Sequence, residues 1–261
     1  NTVCENTMVT LTGAGAATYT YTGSINDGVA FAATSTETYT VTGTDANGCV
    51  NTSDITITVN PAPVVTATSN ATNDIICLGD DVTLTAGGTA VSYTWDNSVV
   101  DGVAFTPTAT ATYTATGVDA IGCENTATIT ITVNDPIVTA SSDATANAVC
   151  DGDDVTLTGG GAVTYTWDNL VVDGASFIPT ATTTYTVTGT DAIGCENTAT
   201  ITITLNTLPT VSVTSDDTDN TVCENTMVTL TGAGAATYTY TGGVSEGVAF
   251  AATSTETYTV T

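Results

Sequence analysis

The side chains in this sequence that could do chemistry are carboxylates and thiols, and no cationic side chain accompanies them. The 261 residues contain 27 Asp and Glu and 7 Cys, with no Lys, Arg or His, so the formal net charge is −27. These absences exclude a catalytic His, a Schiff-base Lys, an arginine phosphate clamp and a His-ligated metal. Nucleic-acid binding and attraction to anionic membranes need Lys and Arg, so both are excluded too. Disulfide formation and coordination of hard cations by carboxylate oxygens remain.

The composition predicts a folded chain rather than a disordered one. Hydrophobic residues make up 41% of the chain, charged residues only 10%, and the mean hydropathy is +0.22. Thr, Val, Ile and Tyr are frequent, and these residues favour strands. No apolar run approaches the roughly 18 residues that a membrane-spanning helix needs, so we expect no membrane insertion. Residue 1 lies within a pattern already under way, and we expect the sequence to be a segment of a longer polymer.

The cysteines recur with a fixed period. Cys4, Cys77, Cys150 and Cys223 are separated by about 73 residues each, and Cys49, Cys123 and Cys195 follow the first three after about 45 residues. Residues 1–42 and 220–261 differ at only four positions, so a three-copy unit repeats above the single copy. We therefore predict four domains, at 1–60 (lacking its first strand), 61–134, 135–206 and 207–261 (lacking its C-terminal part).

The sequence of each copy predicts a series of short strands, because polar and apolar residues alternate with a period of two. In the second copy these are Val64–Ser69, Val82–Ala86, Val91–Trp95, Gly102–Thr106, Ala111–Gly117 and Thr126–Val133. In the last of them, Thr alternates with Ala, Ile and Val, which predicts a threonine face and an apolar face. A period of about 73 residues is too long for one coil of a solenoid. We predict an all-β fold of tandem Ig-like (PKD-like) β-sandwich domains, about 73 residues each, in an elongated array.

The repeated motifs resemble a known family. They are C-x-G-D-D-V-T-L-T, Y-T-W, T-x-T-Y-T-V-T-G-T-D-A-x-G-C and T-A-T-I-T-I-T-V, and they are similar to the tandem Ig-like repeats of giant type IX-secreted surface proteins of Bacteroidota. Gliding adhesins and the grappling-hook filaments of predatory marine bacteria, which are bundles of long chains, are examples of that family. The resemblance covers the whole chain and implies secretion and a cell-surface location.

The resemblance also implies a structural role. We expect the shaft segment of a long extracellular filament or adhesin, used for attachment or prey capture, that associates with itself in a parallel homo-oligomeric bundle. We expect no enzymatic activity and no catalytic residue. A single-chain adhesin stalk is one alternative, and a carbohydrate- or ice-binding repeat array is another.

The cysteines predict disulfides, and two pairings are open. Pairing within a copy would join Cys4 to Cys49, Cys77 to Cys123 and Cys150 to Cys195. In an Ig-like sandwich, however, the cysteines before the second strand and after the sixth lie at opposite poles, roughly 20–25 Å apart. A disulfide needs Cα atoms about 4.4–6.8 Å apart. We therefore favour bonds across domain junctions: Cys4–Cys123 and Cys77–Cys195, with Cys49, Cys150 and Cys223 paired to domains outside this sequence.

Carboxylates lie near the same junctions. The topology brings Asp80 and Asp81 towards Asp191 and Glu196 of the next copy, and hard oxygen ligands of this kind suit Ca²⁺. No calcium-loop motif is present, and solvated turn carboxylates are the favoured alternative. Apart from this possible Ca²⁺ we predict no cofactor.

The recurring aromatic residues are predicted to lie in the core. Trp95 and Trp167 occupy the third strand, where an Ig-like sandwich buries a Trp, and Tyr113 and Tyr185 recur ten residues before the second cysteine. If the tryptophans were exposed instead, they could stack on sugars. The regular Thr rows predict uncharged faces suited to lateral packing between chains, with ice binding as the alternative.

Overall fold

The structure, a computed structural model, describes residues 1–261 and is all-β. It contains two compact units: unit 1 comprises residues 1–136 and 190–197, and unit 2 comprises residues 137–189 and 198–261. None of its helices has the length and apolar character that crossing a bilayer requires. Below, repeats 1 to 4 denote the sequence copies 1–60, 61–134, 135–206 and 207–261.

Repeat 1 lies in unit 1 and has six strands. They are β1 (Thr2–Cys4), β2 (Thr7–Thr10), β3 (Thr18–Tyr21), β4 (Ala30–Ala33), β5 (Glu37–Thr44) and β6 (Val50–Asn60), with a 3₁₀ turn at Thr22–Ser24. One sheet has the order β1-β6-β5-β3, and β2 pairs with β4 in the other. The first strand, β1, runs parallel to β6 and the remaining pairs are antiparallel.

Repeat 2, also in unit 1, shows the complete strand order. Its strands are β7 (Val65–Ser69), β8 (Ile75–Cys77), β9 (Val82–Gly88), β10 (Ser92–Trp95), β11 (Ala104–Phe105), β12 (Ala111–Val118) and β13 (Glu124–Asn134). One sheet has the order β7-β9-β11 and the other β8-β13-β12-β10. These sheets correspond to the two sheets of an Ig-like sandwich, with a first strand that is divided between them.

The division of the first strand is the main feature that sequence patterning missed. After β7 the chain makes a 3₁₀ turn at Thr72–Asp74 and crosses to the second sheet, where β8 pairs parallel with β13. Asn73 and Asp74 have left-handed φ values of 54° and 57°. Asn and Asp tolerate this region because their short side chains bond locally. Three residues of β8 are too few to show a period-two pattern.

The core of repeat 2 is formed by both sheets. Val82 and Leu84 on β9 are fully buried against Ala115 and Ile131 of the other sheet. The threonines of β13 are exposed, so the predicted alternation along this strand is confirmed. Full burial of each large aliphatic side chain contributes about 1.5–3 kcal/mol to folding. This inward-facing apolar pattern makes the repeat a β-sandwich.

Repeat 3 repeats this arrangement, mostly in unit 2. Its strands are β14 (Thr139–Ser142), β15 (Ala148–Cys150), β16 (Val155–Gly160), β17 (Thr164–Trp167), β18 (Ser176–Phe177), β19 (Thr183–Thr190) and β20 (Glu196–Asn206), with a 3₁₀ turn at Thr145–Asn147. Its sheets have the orders β14-β16-β18 and β15-β20-β19-β17. As in repeat 2, the short strand that ends in Cys is parallel to the last strand.

Repeat 4, in unit 2, has fewer and shorter strands. They are β21 (Ser212–Ser215), β22 (Thr226–Val228), β23 (Leu230–Ala233) and β24 (Phe250–Ala252), with a 3₁₀ turn at Thr241–Gly243. The first strand, β21, pairs with β23, and β22 pairs with β24. Near the C-terminus a single bridge joins Tyr240 to Val260.

Candidate functional site at the repeat junctions

Two disulfides lie between successive repeats, both within unit 1. Cys4 of repeat 1 is bonded to Cys123 of repeat 2, with a Cα–Cα distance of 5.4 Å. Cys77 of repeat 2 is bonded to Cys195 of repeat 3, with a Cα–Cα distance of 5.3 Å. These pairs are the junctional ones, and the structure contains no disulfide within a repeat. Each bond closes a long loop, because the two cysteines are 119 and 118 residues apart in sequence.

Strand register gives the physical reason why the cysteines of one repeat do not meet. Cys77 ends β8 and lies opposite Asn134, the last residue of β13. Cys123 directly precedes Glu124, the first residue of the same strand. At about 3.3 Å per residue, the length of β13 separates the two thiols by roughly 35 Å. The only thiol within bonding distance of each is in the adjacent repeat.

An Asn–Asp hydrogen bond accompanies each disulfide. The Asn60 side-chain amide donates to the Asp119 carboxylate, and it also donates to the Cys123 sulfur at 3.3 Å. In the same way, the Asn134 amide donates to Asp191 beside Cys195. Both Asn residues are the last of their strands, opposite the bonded cysteine. Every junction in unit 1 therefore consists of a disulfide and a side-chain hydrogen bond on adjacent strand ends.

Each aspartate also folds the turn that carries its cysteine. One Asp119 oxygen, Oδ1, accepts from the backbone N–H groups of Ile121 and Cys123, both at 2.9 Å. The Cys123 N–H bond is the largest of the effects that hold the pKa of Asp119 below its ordinary value. The other oxygen is left to accept the Asn60 amide. A single carboxylate therefore orders its own turn and binds the preceding repeat.

The same arrangement occurs at Asp191. Its Oδ1 accepts from the N–H groups of Ile193 and Cys195 at 2.9 Å. Desolvation acts to raise the pKa of Asp191, but these two donors and the Asn134 amide together lower it. Ionised aspartate is therefore the form that both junctions stabilise.

Further contacts fix the linkers beside the junctions. The Asn125 side chain donates to the Pro63 carbonyl at 2.9 Å, and Asn197 donates to the Pro136 carbonyl at 3.0 Å. Both prolines are buried, although prolines are usually exposed. Sequence reasoning did not identify these asparagines or Asn60 and Asn134. The sequence does carry a signal for them: one Asn ends each T-I-T-V/L-N strand, and a different Asn follows the second Cys of each copy by two residues.

The four carboxylates named as possible Ca²⁺ ligands are not gathered into one cluster in the structure. No group of three or more Asp, Glu, Cys or His side chains is arranged to hold a metal ion. Asp80 and Asp81 line a cavity of about 630 Å³ beside the Cys77–Cys195 bond, which Asp191 and Glu196 do not line. Asp191 is occupied by the Asn134 amide and its own turn, so it has little capacity left for an ion.

The recurring aromatics are buried. Trp95 and Trp167 are each 9% exposed, and Tyr113 and Tyr185 are each 5% exposed. The Trp95 indole N–H donates to Asp101 at 2.9 Å, and the same carboxylate oxygen accepts the Ala86 N–H at 2.7 Å. The Asp101 carboxylate therefore accepts hydrogen bonds from a core side chain and from the backbone of β9. The tryptophans offer no exposed face for stacking on a sugar ring.

The remaining thiols and the threonine rows face solvent. Cys49, Cys150 and Cys223 are free and exposed. On the four-stranded sheets, threonine hydroxyls of adjacent strands bond to each other; the pairs are Thr38–Thr56 and Thr112–Thr130 at 2.8 Å and Thr184–Thr202 at 2.7 Å. These faces are consequently regular, polar and uncharged.

Comparison with known proteins adds little beyond fold. No model of a known protein family matches the chain, and no curated protein matches it. Similar solved structures include a 1.5-MDa bacterial ice-binding adhesin retained at a host cell surface (18% identity, 66% of this chain, 74% of that one, TM-score 0.25). A Ca²⁺-stabilised adhesin with which an Antarctic bacterium binds ice is also similar (19% identity, 86% and 74% coverage, TM-score 0.27).

A third similar structure contains the eight N-terminal Ig domains of the Down syndrome cell adhesion molecule (13% identity, 92% of this chain, 44% of that one, TM-score 0.28). TM-scores this low support no inference about activity or partners. The fold class is assigned from this chain's own strand pairings, which are those of tandem Ig-like β-sandwiches.

Proposed function

We propose that this chain is a load-bearing segment of a secreted, cell-surface adhesin or filament shaft with no enzymatic activity. The observation that carries the proposal is the covalent bond between successive repeats, present at Cys4–Cys123 and again at Cys77–Cys195. In the proposal the repeats are four Ig-like domains at 1–60, 61–134, 135–206 and 207–261. Export by type IX secretion and a Bacteroidota source follow from the motif resemblance alone.

The disulfides support both the location and the mechanical role. Disulfides persist in oxidising, extracellular environments and are rare in reducing ones. A bond placed between repeats carries tension from one repeat to the next without loading the linker peptide. A bond within a repeat would protect only that repeat. The observed placement therefore suits a rod that is pulled along its length during attachment or prey capture.

The charge supports self-association through uncharged faces. With 27 carboxylates and no Lys or Arg, neighbouring chains cannot pair through salt bridges. The exposed threonine rows offer faces on which two sheets can approach, provided that salt shortens the screening length below about 10 Å. We propose a parallel homo-oligomeric bundle that packs through these faces. A chain that stays single would be an adhesin stalk instead.

Sedimentation velocity in about 0.5 M NaCl tests the bundle. Thr128 is exposed on β13, and Thr85 is exposed on β9 of the opposite sheet. We expect Thr128→Glu to abolish oligomers and Thr85→Glu to leave them intact, because only the first adds charge to the packing face. Oligomers that also survive dilution into salt-free buffer with EDTA would contradict packing that depends on screening. A monomer under every condition would favour the single-chain stalk.

Immunogold labelling of source cells tests the proposed location. We expect antibody against the purified chain to label extracellular filaments along their length. We also expect a membrane-impermeant reductant to weaken adhesion under flow, because it opens the junction disulfides. Label confined to the cell interior or to filament tips would contradict the proposal.

Ice binding is the second candidate, and the regular threonine faces are the observation that favours it. Thermal hysteresis of the purified repeats would identify this activity, and freezing without hysteresis would eliminate it. The tryptophans that could stack on a carbohydrate are buried, which weakens that alternative.

A role for Ca²⁺ stays within this proposal as a stabilising ion at the acidic junctions. We expect bound Ca²⁺ to raise the melting temperature of the repeats relative to a sample in EDTA, because it would lower repulsion among carboxylates. An unchanged melting temperature would remove the ion from the proposal.

A further inference from the structure

The cavity beside the Cys77–Cys195 disulfide exposes the two sulfurs unequally. The cavity has a volume of about 630 Å³, and all of its lining residues lie in unit 1. Both bonded cysteines line it, but Cys195 is 1% exposed whereas Cys77 is partly exposed. The repeats that this bond joins each have all seven strands, so the difference belongs to a closed junction.

The buried sulfur is held in place by the turn that carries it. The Cys195 N–H donates to Asp191 at 2.9 Å, and the Asn134 amide of the preceding repeat donates to the same carboxylate. In thiol–disulfide exchange a thiolate approaches the sulfur that it attacks in line with the S–S bond, so access decides which sulfur reacts. Protein atoms cover Cys195 on the side from which such an approach would come. Cys77 is therefore the sulfur that a thiol in solution can reach.

Two carboxylates give the approach to Cys77 a negative charge. Asp80 and Asp81 both line the cavity and are both exposed. The Asp80 N–H donates to the Cys77 carbonyl at 3.0 Å, so one turn holds this aspartate close to the cysteine. Asp81 accepts a hydrogen bond from the Thr106 hydroxyl. Since the chain has no Lys, Arg or His, no cationic side chain offsets these charges.

This pair of acids is absent from the other junction. Repeat 1 has Thr7 and Met8 at the positions of the two aspartates, with a single acid, Glu5, in the same turn. Both disulfides have the same placement between repeats, as the Cα–Cα distances of 5.4 Å and 5.3 Å show. The two junctions therefore differ in the local charge that an incoming thiolate meets, and each provides a comparison for the other.

We propose that the cavity is an S-thiolation site at Cys77 and that it favours small thiols that also carry a cationic group. The thiolate attacks the Cys77 sulfur, and a new S–S bond forms between them. The Cys77–Cys195 bond breaks, and Cys195 leaves as a thiolate that takes a proton from water. No oxidant is consumed, because one disulfide replaces another. The cationic group offsets the repulsion between the thiolate and the two carboxylates.

The modification would open one chosen junction of the chain. The bond between repeats 2 and 3 is replaced by an adduct on one side and a free thiol on the other. Return of the Cys195 thiolate to the adduct expels the small thiol and closes the junction again, so the change is reversible. That an opened junction lengthens a shaft under load rests on the proposed function, whereas the modification itself does not.

Peptide mapping of the intact 261-residue protein tests the direction of attack. The free, exposed Cys49, Cys150 and Cys223 are first alkylated with N-ethylmaleimide so that they cannot exchange. Cysteamine is then added, and the reaction is stopped with acid at early times. We expect the cysteamine adduct on Cys77 at least about tenfold more often than on Cys195, because only the first sulfur is accessible. Equal adducts on both, or adducts only after unfolding in urea, would overturn the proposal.

A second measurement tests the preference for a cationic group. The rate of opening is compared for cysteamine and for 2-mercaptoethanesulfonate, each divided by its rate with the neutral 2-hydroxyethyl disulfide to correct for intrinsic reactivity. We expect Asp80→Asn combined with Asp81→Asn to reduce the preference for cysteamine by about three- to tenfold at low salt. About 0.5 M NaCl should remove most of the preference in the native protein.

The matched control keeps the charges. Asp80→Glu combined with Asp81→Glu should retain the preference, and the Cys4–Cys123 bond should show a smaller one in every variant. An unchanged preference in the Asn variant would overturn the role of the two carboxylates. Because purified protein is used, failure of the two proposals can be told apart. Filaments labelled along their length without a Cys77 adduct would overturn this site alone, and a Cys77 adduct on a chain confined to the cell interior would support the site and contradict the shaft.

Discussion

Replacing Cys4 by Ala removes one of the two junction disulfides and should lengthen the chain that can be extended by force. With both bonds intact, the shortest covalent path runs from the N-terminus to Cys4, crosses to Cys123, returns to Cys77 and crosses to Cys195. This path contains about 115 peptide steps, compared with about 260 when both disulfides are reduced. At about 3.5 Å per residue, the fully extended lengths are roughly 400 Å and roughly 910 Å.

The Cys4→Ala variant should lie between these limits. Only the Cys77–Cys195 bond remains, which hides 118 residues and leaves a path of about 142 steps, or roughly 500 Å. Pairing within repeats would leave about 169 steps after the same change, or roughly 590 Å, because only Cys77–Cys123 and Cys150–Cys195 would persist. The two pairings thus differ by roughly 90 Å in one variant.

Single-molecule force spectroscopy on the protein tethered at its termini measures this length directly. The oxidised native chain, the reduced chain and the Cys4→Ala variant are compared at the same pulling speed. A final extension of roughly 590 Å for the variant, or no gain in length on reduction of the native chain, would refute the junctional arrangement. The free energy of unfolding gives a second readout, since closing a loop of 119 residues stabilises by up to about 5 kcal/mol in the chain-entropy account.

Three further predictions concern the junction and the core. The Cys123 N–H is the first cause of the lowered pKa of Asp119, so the ionised carboxylate stabilises the folded protein fully above the unfolded pKa of about 3.9, and this stabilisation is lost as the pH falls through the lower folded pKa. Asp119→Asn should therefore weaken the dependence of the free energy of unfolding on pH, measured by urea unfolding between about pH 2 and pH 6. An unchanged pH dependence would contradict this prediction. Ile131→Ala should lower the free energy of unfolding by about 2–5 kcal/mol, because the Ile131 side chain is fully buried. Replacing the exposed neighbour, Thr132→Ala, should change the free energy of unfolding by no more than about 0.5 kcal/mol. Similar costs for the two variants would place Ile131 outside the core. Trp95→Phe removes the indole N–H bond to the loop carboxylate and should cost about 1–3 kcal/mol by the same measurement; a neutral result would mean that water replaces this donor.

Patterning predicted most of the strands because their residues alternate between two environments. For example, β12 is observed at Ala111–Val118 where Ala111–Gly117 was predicted, and β13 extends the prediction by two residues at the start and one at the end. The strand β8 was missed because three residues that pair in parallel with a distant strand carry no local period. The two extra residues at the start of β13 arise from its pairing with β12, which continues to Glu124, and the extra residue at its end, Asn134, pairs with Cys77 of β8.

At the junction, sequence spacing predicted which cysteines can pair, but it did not predict the hydrogen bonds that the asparagine side chains make. The opposed positions of Cys77 and Cys123 follow from strand direction, which a fold class already implies. The Asn60–Asp119 bond depends on which strand end of one repeat meets which turn of the next, and no periodicity specifies that. Topology likewise placed Asp80, Asp81, Asp191 and Glu196 near one another as possible Ca²⁺ ligands, whereas in the structure Asp191 accepts a hydrogen bond from the Asn134 amide.

The sequence by itself determined that the chain is all-β, repetitive, acidic and without the side chains that most catalysis requires. These properties depend on residue type and local alternation, which act over a few neighbouring residues. The tertiary structure decided how the repeats are crosslinked, because sulfur atoms bond only where Cα atoms approach closely, here to 5.4 Å and 5.3 Å, and these pairs are 119 and 118 residues apart in sequence.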